Sequence, residues 1–328
     1  MFGFPPIFTN RQPLVASHSR MAATQRIVAT LCLSLSLVSA RAAVLKSETA
    51  AAFDQYVRVT EDRHGTDLRK GRFLIIDRLP DASRQEMYAK LRRGEIHIEQ
   101  LQTKDDGRPI RIPDGMVHHW VGVMFVSGAN LAQVAAVLQD YDHHKDIYAP
   151  DVRQSKLLER EVDQARIYYQ LYRKTMVTVV IDANFNVHFA TDGPSRGLSR
   201  SYSTRMAEVE NFGTPHQREL PVGNDHGYLW RLNSYWRVEE KDGGAYVQLE
   251  SIALSRNIPL LFAWLVNPLT KSLPRAVISN LLTATRRAVI TRESFLFDHG
   301  SPATPASHVI APAHWQHSPP EPTGLRRR

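Results

Sequence analysis

The sequence predicts an α+β fold: a curved antiparallel sheet wrapped around one long C-terminal helix, with a small N-terminal α/β extension. Three observations predict it. Between Val152 and Leu254 six strand-like runs follow one another, separated by turn residues and by no helical pattern. One of these, Tyr228 to Glu239, alternates even positions that are mostly apolar or aromatic (Tyr228, Trp230, Leu232, Trp236, Val238) with polar odd ones (Arg231, Asn233, Arg237, Glu239). That pattern is expected of a sheet with one covered and one wet face. After Ile258 the apolar period returns to 3.6 residues and holds to about Thr291, which supplies the cover.

Taken in order, residues 21–42 read as an export signal. A short polar stretch closes on Arg26, the apolar run Ile27 to Val38 follows, and Ala40-Arg41-Ala42 offers a cleavage site near Ala42, with Met21 as an alternative start. The run is short for a membrane span. From Ser47 to about Arg63 the residues Ala51, Phe53, Tyr56, Val57 and Val59 fit one helix, with Ser47 as cap and Gly65 as stop. Phe73 to Leu79 reads as a short strand, Asp81 to Arg93 as a helix stopped by Gly94, and Ile96, Ile98 and Leu101 as another strand. The turn-rich Lys104 to Gly115 closes this extension, with a domain boundary expected near Gly115.

Val117 to Val126 is strand-like, and Asn130 opens a helix carrying Leu131, Val134, Val137 and Leu138. Tyr141 to Pro150 reads as a polar loop. The six strands are Val152–Arg160, Ala165–Tyr172, Met176–Phe189, Leu198–Glu210, Tyr228–Glu239 and Ala245–Leu254. Pro274 suits the first turn of the final helix, whose buried stripe is expected to be Val277, Leu281, Ala284 and Ala288. Residues 293–328 hold six prolines after Gly300 and no apolar period, and read as a disordered tail. Four parts result: a signal peptide at 1–42, an extension at 43–115, a sheet-and-helix domain at 116–292 and a tail at 293–328.

Composition narrows the function classes. The formal net charge is +8, but residues 1–42 hold four arginines and no acid, so the rest of the chain is only +4. A balance that close to neutral does not point to nucleic acid. The single cysteine, Cys32, excludes a disulfide scaffold and a cysteine-based zinc cluster.

The order of strand, short helix, antiparallel strands and long final helix resembles the START-like helix-grip superfamily, also called SRPBCC or polyketide cyclase-like, over about Met116 to Thr291. The stretches that carry the resemblance are Trp120-Val121-Gly122-Val123, Leu131 to Tyr141 with its Asp140-Tyr141 end, Glu219-Leu220-Pro221, Trp230 to Trp236, and Leu249 to Leu254 running into Ile258-Pro259. The resemblance implies a cavity between sheet and C-terminal helix for an apolar ligand such as a lipid, sterol, isoprenoid or polyketide. The extension, the export signal and the proline-interrupted start of the final helical region depart from the typical intracellular lipid carrier.

On parity, Tyr228, Trp230, Ser234 and Trp236 share the covered face, and Tyr169 and Leu171 alternate in the same way with Ile167. These are the candidate ligand-binding residues; the alternative is solid packing against the helix. Trp264 joins them from the resemblance alone. His226, beside Asn224 and Asp225, is a candidate general acid or base at a cavity mouth. His118 and His119 are adjacent on a strand and point to opposite faces. A metal site would need one of them, one of His143 and His144, and an aspartate; a solvated helix terminus outweighs it. Arg200, Arg205 and Glu250 are expected on a solvated outer face. Parity at Arg205 is open between the sets Tyr202-Thr204-Met206 and Ser203-Arg205-Ala207.

No nucleophile elbow, phosphate loop or dinucleotide glycine pattern occurs, so no catalytic residue, metal or cofactor is assigned. The expected function is binding or carriage of a hydrophobic small molecule by an exported protein. The alternatives are a cyclase- or aromatase-type enzyme using the same cavity, and a structural or interaction protein with no ligand. The expected partner is the small molecule; peripheral membrane contact is compatible with it, and nucleic acid is not expected.

Overall fold

The structure is a computed structural model that describes residues 43–174, 177–257 and 274–292, which belong to one compact unit, Ala43–Arg328. In chain order the elements are β1 (Ala43–Val44), α1 (Ser47–Arg69), a 3-10 turn (Ile75–Arg78), α2 (Asp81–Arg92), β2 (His97–Gln100), β3 (Lys104–Asp105), β4 (Arg108–Pro109) and β5 (Gly115–Ser127). Then come α3 (Leu131–Leu138), a 3-10 turn (Tyr141–His143), α4 (His144–Ile147), β6 (Val152–Arg160), β7 (Gln164–Lys174), β8 (Thr178–Thr191) and β9 (Arg196–Glu210). The chain closes with β10 (Arg218–Glu219), β11 (Asn224–Asp225), β12 (Arg231–Lys241), β13 (Gly244–Arg256) and α5 (274–292). Residues 1–42, the segment 258–273 with Trp264, and the tail lie outside the described residues. Among those described, no helix is long and apolar enough to cross a membrane.

Nine strands form one antiparallel sheet in the order β2-β5-β13-β12-β9-β8-β7-β6, with β10 beside β9. Register shifts in the β6–β7 and β8–β9 pairs mark bulges, which bend strands and increase their twist. One bulge explains the open parity at Arg205. Asn184 pairs with Arg205 and Phe185 with Ser203, so Thr204 is the extra residue. Ser203 and Met206 therefore both take the side of Phe185 and Ala183, while Arg205 points the other way and meets Glu219.

Alternation divides β5 by what covers each side. The even residues Trp120, Met124 and Val126 pack with Val247 and Leu249 of β13 against Ile278, Leu282 and Val289 of α5. Gly122 is where the helix comes closest. A Cβ there would lie 2.5 Å from Ile278 Cγ2 and 2.7 Å from Leu282 Cδ1, so only glycine permits this approach. The helix buries Ile278, Leu282, Thr285 and Val289, with Leu281 and Ala288 beside them. The buried stripe thus lies one residue round from the expected one, because the branched chains at 278 and 282 fill the space over Gly122.

The other face is not wet, which corrects the expectation for β12. Residues of α1 (Phe53, Tyr56, Val57) pack against Tyr235, Ile252 and Leu254. The segment Phe73 to Ile76 and Leu91 pack against Val121, Val123, Phe125, Leu198 and Tyr246. Asn233, Arg237 and Glu239 are consequently only 5–6% exposed. The extension is built into the same unit: β2 pairs with β5, and Gly115 continues directly from the extension into β5.

Several local readings change for the same reason. Helix α1 runs through Gly65 to Arg69, with Lys46 rather than Ser47 at the cap. A glycine inside a helix costs about 1 kcal/mol, and the buried His64 and Asp67 around it anchor this stretch through Glu250 and through Arg72 and Arg78. Phe73 to Leu79 is not a strand, because Asp77 Oδ2 accepts from Phe73 N–H at 2.9 Å and Leu74 N–H at 2.7 Å and closes a turn. Tyr141 to Pro150 is not a plain loop either. His144 orders it, accepting from Tyr169 Oη–H at Nδ1 (2.5 Å) and donating from Nε2 to the Val137 carbonyl (3.1 Å). The α3 start is as expected, with Asn130 and Gln133 capping each other at 2.8 Å.

Candidate functional site

The sheet register places the inner-face residues in rungs. Ser251 of β13 pairs with Ser234 of β12 and Ser234 with Ser201 of β9. One rung along, Leu249 pairs with Trp236 and Trp236 with Ser199. Farther across, Phe185 pairs with Ile167, Ala183 with Tyr169 and Ile181 with Leu171. These residues join Tyr141 and Phe189 in one apolar cluster. Helix α5 is seated over the β5–β13 side through Trp120, Gly122 and Leu249. Ser234, Trp236, Tyr169 and Leu171 all stay only partly buried.

A single long antiparallel sheet holding its C-terminal helix against the inner face decides the architecture. This is a helix-grip fold. Several solved structures resemble the chain over most of their own length. A STAR-related lipid transfer protein fragment from Xanthomonas axonopodis is 18% identical, covering 58% of this chain and 98% of its own, with a TM-score of 0.39. Human STARD10 is 13% identical over 68% of this chain and 84% of its own, with a TM-score of 0.41. The Zhui aromatase/cyclase of a Streptomyces species is 13% identical over 57% of this chain and all of its own, with a TM-score of 0.35. No family model matches the chain, and no curated protein matches it.

Of the sequence-predicted residues, the helix-grip sheet brings Tyr169, Leu171, Ser234 and Trp236 onto one face. It does not bring Trp230 there. Gly227 has φ +73 and regular β12 begins only at Arg231, so the parity of Tyr228 to Glu239 breaks at its start. Trp230 turns to the α1 side, among Phe53, Tyr235 and Leu254, and donates from Nε1 to Asp225 Oδ1 at 3.0 Å.

Tyr228 lies in a half-open cleft of about 380 Å³ lined also by Tyr172, Val180, Glu208, Phe212 and His226. Glu208 is the fixed point of this cleft. It accepts from the backbone N–H of Tyr228 (2.7 Å) and of His226 (3.0 Å), and from His226 Nδ1–H (2.9 Å). Donation from Nδ1 lets the Glu208 carboxylate orient the His226 imidazole at this cleft. Next to it, burial and the charge of Glu208 push the Asp225 carboxyl up to about 6.

The outer face of this helix-grip sheet carries a second polar group, buried under α1. Glu250 is 1% exposed and accepts from Arg63 Nη2 at 2.8 Å, His64 Nε2 at 2.9 Å and His119 Nε2 at 2.7 Å. Tyr56 Oη accepts from Thr103 N–H and donates to His119 Nδ1 at 2.9 Å, which sets the His119 tautomer. Burial works against the Glu250 charge, yet the two imidazoles outweigh it and hold the carboxyl well below its usual range. Burial pulls His64 down to about 4 and His119 down as well. Glu250 was expected to be solvated; the covering helix makes it a buried anion instead. His118, one residue from His119, points the opposite way and meets Ser255 Oγ at 3.0 Å.

Sequence reasoning missed Ser201 and Ser251 as inner-face partners of Ser234, and Trp120 as the partner of Ser251. The alternation Ser199-Arg200-Ser201-Tyr202-Ser203 was a usable signal, but the rungs become visible only once register is known.

Proposed function

We propose that the protein binds and carries a hydrophobic small molecule on the inner face of the sheet, beside α5. One observation carries the reading. Trp236, Leu232, Tyr169 and Leu171 point to the side the helix covers, yet each is only partly buried among the described residues. Large apolar side chains on the covered side that stay partly exposed are the lining a greasy ligand needs. Mass spectrometry of the purified protein is expected to show a co-purifying lipid, isoprenoid or polyketide-sized compound. After delipidation, such compounds should quench tryptophan emission, with Trp236 at the site. A protein that arrives empty, and whose emission none of these ligand classes moves, counts against the reading.

Export belongs to the same proposal. It is supported by the Arg26 flank, the apolar run Ile27 to Val38 and the Ala40-Arg41-Ala42 site. Protein recovered from its native host is expected to begin at Ala43 on N-terminal sequencing. An N-terminus at Met1 or Met21 on the functional pool would overturn it.

A further inference from the structure

Three adjacent strands set hydroxyls side by side in the middle of the inner face. Ser251, Ser234 and Ser201 are consecutive cross-strand partners, and Trp120 flanks Ser251 on its other side. Such partners stand about 5 Å apart, within reach of one ligand group. Mostly apolar rungs bound the row: Gly122, Leu249 and Trp236 with Ser199 on one side, Ala253 and Leu232 with His118 and Ser203 on the other.

These groups lack the partners that hydroxyls and N–H groups normally find. Among the described residues Ser201, Ser234 and Ser251 make no side-chain hydrogen bond, whereas Ser203, on the next rung, accepts from Leu232 N–H at 2.9 Å. Ser201 is only 8% exposed. Trp120 is 7% exposed, and its Nε1–H is a buried donor with no acceptor. Buried polar groups are almost always satisfied, so the orphan indole N–H, set beside hydroxyls that no protein group engages, points to an acceptor brought from outside.

Charge narrows what that acceptor is. No lysine or arginine occupies an inner-facing position on β5, β8, β9, β12 or β13, and the inner-facing Arg173 of β7 is paired with Asp151 at 3.0 Å, far along the sheet from the row. The titratable groups facing inward near the row are Glu208, held by three N–H donors, and His118, bonded to Ser255. The buried stripe of α5 is Ile278, Leu282, Thr285 and Val289; the half-buried Arg286 beside it donates to the Gly94 carbonyl at 3.0 Å, and residues 258–270 contain no charged side chain. An anionic headgroup placed here would lose its water and gain no counter-charge, which is prohibitive.

We infer that the row Trp120–Ser251–Ser234–Ser201 binds a neutral oxygen, hydroxyl or carbonyl, on an otherwise hydrophobic ligand, and that the protein discriminates against fatty-acid and phosphorylated or sulfated lipids. The inference rests on the carrier reading above and specifies its ligand class. The indole N–H donates to the ligand oxygen, and the serine hydroxyls donate or accept as the ligand requires.

Two matched pairs test it: 1-hexadecanol against palmitate, and cholesterol against cholesterol sulfate, each titrated into delipidated protein with tryptophan emission as readout. At least one alcohol is expected to bind about tenfold or more tightly than its anion. Ser234→Ala and Ser201→Ala are each expected to weaken that alcohol about fivefold. Neither should move the thermal midpoint, because neither hydroxyl has a protein partner to lose. Anions that bind as well as the alcohols, or serine variants that bind the alcohols like the parent, overturn this inference and leave the carrier reading standing. If none of the four compounds binds, the carrier reading fails and takes the inference with it.

Discussion

Glu250→Ala is expected to destabilise the protein by about 3–5 kcal/mol, the usual penalty for removing one partner of a buried ion pair. The carboxylate is almost fully covered and takes three charged or N–H donors, from Arg63, His64 and His119. Its loss strands all three under α1, where water cannot replace it. Glu250→Gln should recover part of the loss, since one oxygen acceptor remains. An exposed pair makes the control: Lys90 and Glu86, at 38% and 66% side-chain exposure, are expected to contribute little, because water screens them. Urea unfolding of the three variants Glu250→Ala, Glu250→Gln and Glu86→Gln measures all of this. A Glu250→Ala loss no larger than the Glu86→Gln loss would show that α1 does not depend on the buried carboxylate.

Stability is also expected to fall steeply between about pH 6.5 and pH 4. His64 and His144 are each pulled by burial to about 4 from an ordinary 6.5, and His118 and His119 move in the same direction. In that window the unfolded chain binds protons that the folded chain refuses, so stability rises with pH and drains away on acidification. A shift of that size is worth on the order of 3 kcal/mol per histidine, a large share of a typical folding free energy. Asp225 acts the other way. Its folded-state pKa of about 6 stands above the ordinary 3.8, so its contribution is present at low pH and is lost as pH rises through 6. Being about half buried and beside another carboxylate, it offsets only part of the histidine effect. Denaturant midpoints at pH 7, 5.5 and 4.5 should therefore decline. In His64→Gln the slope should flatten by about one proton, roughly 1.4 kcal/mol per pH unit. A flat profile across the window would refute the assignment of neutral buried imidazoles.

Much of the fold was legible because strands announce themselves locally. Alternation, together with the Gly and Asp turns, located β6 to β9, β12 and β13 to within three residues at each end. What escaped were features set by distant partners. Arg237 and Glu239 looked solvent-facing because nothing nearby in sequence reveals that Phe73 offers a backbone carbonyl to Arg237 at 2.6 Å, or that Arg196 reaches Glu239 at 2.8 Å. Polar side chains opposite polar partners keep an alternating pattern even when no water remains. The candidate site was partly legible for the same reason. Ser234, Trp236, Tyr169 and Leu171 lie in regular strand, where period 2 holds, whereas Trp230 precedes β12, where Gly227 has already turned the chain. Thr204 shows a third limit. A bulge adds one residue, and no local pattern distinguishes that insertion from a change of face.

The ion pair under α1 has a kinetic corollary. Arg63 and Glu250 lie 187 positions apart along the chain, and contacts of such long range form only after many shorter loops have closed. Helix α1 emerges first during synthesis, yet the acid that neutralises Arg63 arrives only with β13, the last strand of the sheet. Docking of the N-terminal segment is therefore expected late in folding. Until then Arg237 and Glu250 face water on a surface that the finished protein hides.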